Sequence, residues 1–238
     1  MRICVIQPSY EGTGHALEEI DTEFSDLSHY SSQHTFENRF IHKATAKEEI
    51  DAIAREGFDF HINFMWGNYE DDVAGIEESR YFESLDLPSA GIRSWERARN
   101  KNVFYEEARK RGAPPIPGVE KFPLFVKPAN GYASLCIDER SICYNESELF
   151  GALNRLNQGL REGRLRVAKQ RGLSDPEAYA TECEEKGRDS NNVVVQEYID
   201  GEDYVVSVIE MGESATALTP CRIRYKEGGK FDLRFENQ

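Results

Sequence analysis

Phe122-Pro123-Leu124-Phe125-Val126-Lys127-Pro128-Ala129-Asn130-Gly131-Tyr132-Ala133-Ser134 reads as an apolar strand that ends on a lysine and runs straight into a loop of small residues. A loop of that kind leaves backbone N–H groups uncovered, and a lysine at its root adds a point charge, so together they can surround a phosphate. Taken alone, the same pattern also describes a solvated strand edge.

Two further segments narrow the reading. Val193-Val194-Val195-Gln196-Glu197-Tyr198-Ile199-Asp200-Gly201-Glu202-Asp203-Tyr204 is an apolar strand leaving into a polar hinge. Such a hinge can offer one C=O and one N–H to the edge of adenine, with Gln196 on the exocyclic amine and Asp203 on ribose hydroxyls. By itself it is equally an ordinary hairpin with a charged turn. Asn100-Lys101 opens a helix, and a helix start presents free N–H groups to an anion, although most helix lysines are simply surface residues. That helix ends at Gly112, before Pro114, Pro115 and Pro117, which read as a stiff linker.

The first third alternates strand and helix, which favours a parallel α/β sheet. Arg2 to Ile6 is strand-like, followed by a polar turn from Gln7 to Gly14. Thr45-Ala46-Lys47-Glu48 has capping-box form, Ile50, Ile53 and Ala54 give an apolar stripe, and Gly57 is a stop. Phe60, Ile62 and Phe64 alternate with His61 and Asn63, as in a strand with one face buried. Asp71 or Asp72 is the expected cap of a helix carrying Val73, Ile76, Phe82 and Leu85. From Arg140 to Asn192 the chain reads as polar and mainly helical, with starts at Asn145–Glu148 and Ser174–Glu177. Between them Arg161, Arg164, Arg166, Lys169 and Arg171 crowd a stretch poor in apolar residues, which predicts a solvated, mobile excursion. Tyr204 to Ile209 reads as a further strand.

Composition excludes several classes. The 238 residues carry a formal net charge of -14, which argues against a general nucleic-acid or anionic-membrane surface, so any phosphate site must be local. No apolar run is long enough for a membrane helix and no signal peptide is visible, so the expected location is cytoplasmic. The five cysteines are scattered without a CxxC, and the five histidines lack metal-ligand spacing. Gly12-x-Gly14 follows the first strand, but Leu17 stands where the dinucleotide fingerprint needs glycine. No GxxxxGK[ST] and no signature of a Ser/His/Asp or Cys/His set occurs.

In order and content these segments resemble the ATP-grasp superfamily, in its D-alanine–D-alanine-ligase-like branch. The resemblance spans nearly the whole chain, with Asn63 to Asp72 similar to the turn after the family's N-terminal-domain strand. It implies an α/β architecture in three parts. Residues 1–98 would form a parallel-sheet (pre-ATP-grasp) substrate-side domain. Residues 99–200 would form the lid domain, with an antiparallel sheet and a helical insert at about 140–192. Residues 201–238 would begin an incomplete C-terminal ATP-grasp domain. The implied chemistry is ATP-dependent joining of a carboxylate to an amine through an acyl phosphate, with ATP and a small amino-acid or peptide-like substrate as ligands. Association into a homo-oligomer is compatible with this. By resemblance Lys101 and Lys127 would contact the ATP phosphates, and the loop from Asn130 to Ser134 would close over them. Glu197 C=O and Ile199 N–H would hold adenine beside Gln196, Asp203 would take the ribose, and Glu11 would match a glutamate that holds an amino-acid ammonium.

The departures are specific. Gln196 and Asp203 stand where glutamate is common, Tyr132-Ala133 replaces glycine and serine, and the insert is longer than usual. Asn237 aligns with a phosphate-facing lysine. Relatives hold Mg2+ with an aspartate and a later Glu-x-Asn, a pattern that Glu236-Asn237-Gln238 does not show. The expectation is therefore either a ligase whose metal-binding segment lies on a longer chain or a partner, or a nucleotide-binding module or pseudoenzyme that has lost that site. On either reading these residues alone are expected to lack ligase turnover.

Overall fold

The computed structural model describes residues 1–13, 18, 24–68, 72–91, 93–94, 100–130, 136–185, 193–211 and 214–225. Arg2–Pro8 (β1) carries the unbroken apolar run Ile3 to Ile6, and such a strand needs cover on both faces and both edges. It pairs in parallel with Thr35–Ile41 (β2) on one side and Phe60–Asn63 (β3) on the other, and Ser89–Gly91 (β4) adds to β3, giving the order β2-β1-β3-β4. Ala46–Arg55 (α1) and Ile76–Ser84 (α2) lie between successive strands. They set Ile50, Ile53 and Phe82 against Cys4, Ile6, Ile41 and Met65 in one buried cluster.

Three local readings of this part change. At α1 the Thr45 side chain does not cap the helix; its hydroxyl donates to Glu49, whose carboxylate also accepts the His42 N–H at 2.8 Å. At α2 neither expected aspartate is the cap. Glu78, in the first turn, accepts the Gly75 N–H at 2.7 Å, while Asp72 is buried and paired with Arg166; Asp71 lies outside the described residues. On β3 the polar residues are the buried face. His61 Nδ1 lies 3.1 Å from the Pro88 carbonyl with its ring edge-on to Phe58 and Phe82, and Asn63 donates to Ser79 while accepting the Met65 N–H. Alternation locates two faces but does not say which is inside, and hydrogen bonds let the polar one go in.

A second, antiparallel sheet has the order β6-β5-β7, from Leu124–Pro128 (β5), Ile142–Cys143 (β6) and Val193–Glu197 (β7). Lys101–Lys110 (α3) precedes it, capped by Asn100, whose side chain accepts the Val103 N–H at 3.0 Å. Glu146–Gln170 (α4) starts at the expected Asn145, which accepts the Glu148 N–H, and covers one face of the sheet. Leu149, Leu153, Leu156 and Leu160 meet Val126, Cys143, Val193 and Val195 there.

The polar stretch is not a mobile excursion. It is the second half of α4, a helix of 25 residues that packs on Pro176–Glu185 (α5). Val167, Ala168, Ala180 and Cys183 are buried. Arg161 pairs with Glu177 and Glu184, Arg164 also reaches Glu184, and Arg166 and Arg171 pair with the 72–78 turn. Composition counts charges without seeing their partners; here long arginine stems cover apolar surface while the guanidinium groups are paired.

Beyond β7 lie two small antiparallel sheets. Tyr204–Val205 (β8) pairs with Cys221–Arg222 (β11), and Val208–Met211 (β9) pairs with Ser214–Ala217 (β10), so the strand expected from Tyr204 to Ile209 is two. The architecture is mixed α/β, one parallel sheet and separate antiparallel sheets. Among the described residues no helix is long and apolar enough to cross a membrane.

Packing on α4 gives a direct contrast. Leu156→Ala, deep in the sheet-facing core, should lower unfolding stability by about 2–5 kcal/mol, whereas Phe150→Ala on the exposed face should change it by less than about 0.5 kcal/mol. Urea denaturation of both variants reads the difference.

Candidate functional site

The β5–β7 register decides which side chains share a face. Phe125 stands opposite Gln196 and Lys127 opposite Val194, while Val126 stands opposite Val195. Directly opposed residues of an antiparallel pair project to one side. Val126, Val193 and Val195 face α4, so Phe125, Lys127, Val194 and Gln196 take the other face. The sheet thus has one face committed to its core and a second that holds a lysine and an amide.

The start of α3 docks at the carboxyl end of β5. The Lys101 N–H donates to the Ala129 carbonyl at 2.9 Å, and Asn102 Nδ2 donates to Val193 O at 3.3 Å. These bonds place the Lys101 ammonium 3.1 Å from the Pro128 carbonyl, at the root of the small-residue loop. Burial first, and the neighbouring Lys127 ammonium second, push the Lys101 pKa down to about 8. Lys127 lies over the rings of Tyr105 and Phe125, at 5.7 and 6.0 Å from their centroids, and makes no ion pair among the described residues. The two ammonium groups are close enough to repel each other, one against backbone carbonyls and the other over aromatic rings, and so concentrate positive charge locally in a chain of opposite net charge.

At the other end of the same face, Gln196 Oε1 is buried without a hydrogen-bond partner among the described residues. A buried acceptor left open costs about 1–3 kcal/mol, so the position favours a ligand that donates to it. The hinge follows directly. Tyr198 donates its N–H to Pro123 O on the β5 side, while the Glu197 N–H goes to Gly118 O on the opposite side. Alternation along an extended chain turns the Glu197 C=O and the Ile199 N–H to that outer side together. The Ile199 N–H has no partner among the described residues, and its side chain is exposed.

The remaining candidates are placed as follows. Asp203 precedes β8; its carboxylate accepts the Tyr225 hydroxyl at 2.6 Å, a bond that pushes the Tyr225 pKa up to about 12. Glu11 follows β1 on the parallel sheet, exposed, with its carboxylate 3.7 Å from His42 Nε2. Ser134 and Asn237 lie outside the described residues. Among the described residues no three His, Cys, Asp or Glu side chains gather into a ligand set for Mg2+. No local pattern singles out Asn68, whose amide reaches the Asn130 carbonyl from the parallel-sheet side. Only a contact 62 residues apart along the chain identifies it.

Among solved structures, the chain is similar to the L-amino acid ligase of Bacillus licheniformis, with a TM-score of 0.54 and 16% identity over 97% of this chain and 54% of that one. It is also similar to the D-alanine–D-alanine ligase of Helicobacter pylori, with a TM-score of 0.49 and 13% identity over 98% of this chain and 78% of that one. The chain therefore spans about half the length of the L-amino acid ligase. No family model matches the sequence, and no curated protein does. The first likeness shows that nearly all of this chain shares its fold with part of that ligase.

The lowered Lys101 pKa yields a pH dependence. The unfolded chain holds this proton up to about 10.5 and the folded chain only to about 8, so this group alone makes stability rise with pH between those values. A bound polyphosphate favours the charged form and reverses the shift. Above pH 8, polyphosphate binding should therefore take up a proton and weaken as pH rises. Calorimetry at pH 8.5 in two buffers of different ionisation enthalpy measures the uptake, which Lys101→Met should abolish.

Proposed function

We propose that this chain is the nucleotide-binding part of an ATP-dependent carboxylate–amine ligase, which forms an amide or peptide bond through an acyl phosphate. One observation carries the reading: Lys127 and the open acceptor of Gln196 lie on a single sheet face, with Lys101 at its phosphate end. The separation of charge at one end from an amide acceptor at the other matches the two chemistries of a nucleoside triphosphate. Within the proposal, Lys101 and Lys127 neutralise phosphate oxygens and the loop from Asn130 to Ser134 covers them. Gln196 accepts from the adenine amine, Glu197 C=O and Ile199 N–H hold the ring edge, Asp203 takes the ribose, and Glu11 faces an amino-acid ammonium.

The reaction asks little covalent chemistry of the protein. A carboxylate oxygen attacks the γ-phosphorus and ADP leaves. An amine nitrogen then attacks the acyl carbon, loses a proton and expels phosphate. Each step gains from held geometry and from cations placed where charge develops, which is what the lysine pair supplies. The substrates proposed are small amino acids or peptide-like acids and amines. Domain limits near residues 98 and 200 belong to the same proposal. So does a cytoplasmic setting, supported by five cysteines none of which is disulfide-bonded.

Titration calorimetry with ATP tests the reading. Lys127→Ala should weaken binding about ten- to a hundredfold with little change in thermal midpoint, the loss expected of one charge-assisted phosphate contact. Gln196→Leu, which keeps the volume and removes the acceptor, should cost roughly three- to tenfold for ATP. Unchanged affinity in both variants would return these residues to a solvated strand and an unfilled hydrogen bond.

A further inference from the structure

The turn that joins β3 to α2 touches both halves of the described structure. Its neck is a backbone clasp: the Gly67 N–H donates to Ala74 O at 3.1 Å and the Ile76 N–H donates to Gly67 O at 3.0 Å. A Cβ on Gly75 would stand 1.7 Å from the Gly67 carbonyl oxygen, so no other residue fits there. On the far side the clasp is held by α4. Arg166 pairs with the buried Asp72 at 3.1 Å, and Arg171 pairs with Glu77 at 2.5 Å and with Glu78 at 2.9 Å, the same Glu78 that accepts the Gly75 N–H. On the near side, buried Lys43 donates to the Asn68 carbonyl at 3.0 Å, and Asn68 Nδ2 donates to the Asn130 carbonyl. Asn130 is the first residue beyond Lys127-Pro128-Ala129 and opens the small-residue loop.

We infer that Asn68 is a positioning residue for the carboxyl end of β5, at Ala129 and Asn130 beside Lys101, and that Arg166 and Arg171 hold it in place through the 72–78 turn. The inference rests on the nucleotide reading for its consequence, and on the contacts alone for its geometry. Asn68 touches no candidate ligand atom. It fixes the Asn130 carbonyl at the end of β5, next to the Pro128 and Ala129 carbonyls that Lys101 meets, so less ordering entropy is lost there when an anion binds. The helical insert thereby gains a role: its ion pairs, formed with buried carboxylates, resist the separation of the lid sheet from the turn that carries Asn68.

Asn68→Asp keeps the shape and replaces the donor with an acceptor that faces the Asn130 carbonyl. Two measurements on the intact chain separate the possible failures. In hydrogen exchange, the peptide 124–136 should lose protection roughly three- to tenfold in Asn68→Asp and in the double variant Arg166→Ala with Arg171→Ala, while β1 and β3 stay protected. Arg166→Lys with Arg171→Lys should restore most of it. In calorimetry with ATP, both changes should weaken binding by a similar factor, and combining them should add little because they act through one contact. Unchanged exchange in peptide 124–136 overturns the inference whether or not ATP binds. Fully additive losses in affinity also overturn it. Failure of the wild-type chain to bind ATP, with the exchange result as expected, would remove the nucleotide reading and leave the positioning contact standing.

Discussion

The antiparallel pairing of β5 with β7 is the constraint on which the site depends. It joins segments about 70 residues apart in sequence and sets the register that puts Lys127 and Gln196 on one face. A slip of β7 by one residue would turn Gln196 toward α4 while Lys127 stayed on the other face, and the two would no longer share one side. Val126, Val193 and Val195 favour the observed register, because in it they pack on the leucines of α4. The core of this sheet thus helps to set which side chains share its other face.

Charge is organised at two ranges. The net charge of -14 sets a repulsive field for anions, but at physiological ionic strength it is screened beyond about 8 Å. Inside that distance Lys101 and Lys127 dominate, and each depends on local structure. Lys101 is set by backbone bonds from α3 to the end of β5, and Lys127 by the strand itself. The depressed pKa of Lys101 records first the cost of burying its ammonium group and second that of holding it near Lys127. Arg161, Arg164 and Arg166 of α4, and Arg171 at its end, follow the opposite logic, since each pairs with a carboxylate.

Much of this was legible in the sequence. The lysine-ended strand, the valine strand with its hinge and the Asn100 cap are local signals, and each appears where the residues suggest. The alternating first third produced the parallel sheet for the reason its apolar runs imply. What failed was anything set by distant partners. Asn63 faces inward because Ser79 and Met65 satisfy it. His61 does so because Pro88 meets its Nδ1 and Phe58 and Phe82 pack its ring, with Nε2 left without a partner among the described residues. Arg161, Arg164, Arg166 and Arg171 pack because Asp72 and carboxylates on α2 and α5 meet them. Asn68 was invisible for the same reason. Local patterns report periodicity and capping; they do not report which distant group will satisfy a polar one.

The central claim is that a nucleoside triphosphate lies on the β5–β7 face between the lysine pair and the Gln196 hinge. Backbone amide chemical shifts recorded during titration with a non-hydrolysable ATP analogue test it most directly. The account predicts that the largest changes fall at residues 101–103, 126–130 and 194–199, with α4 and the α1 face of the parallel sheet undisturbed. Changes confined to the ends of β1 and β3, or none at saturating analogue, would contradict it.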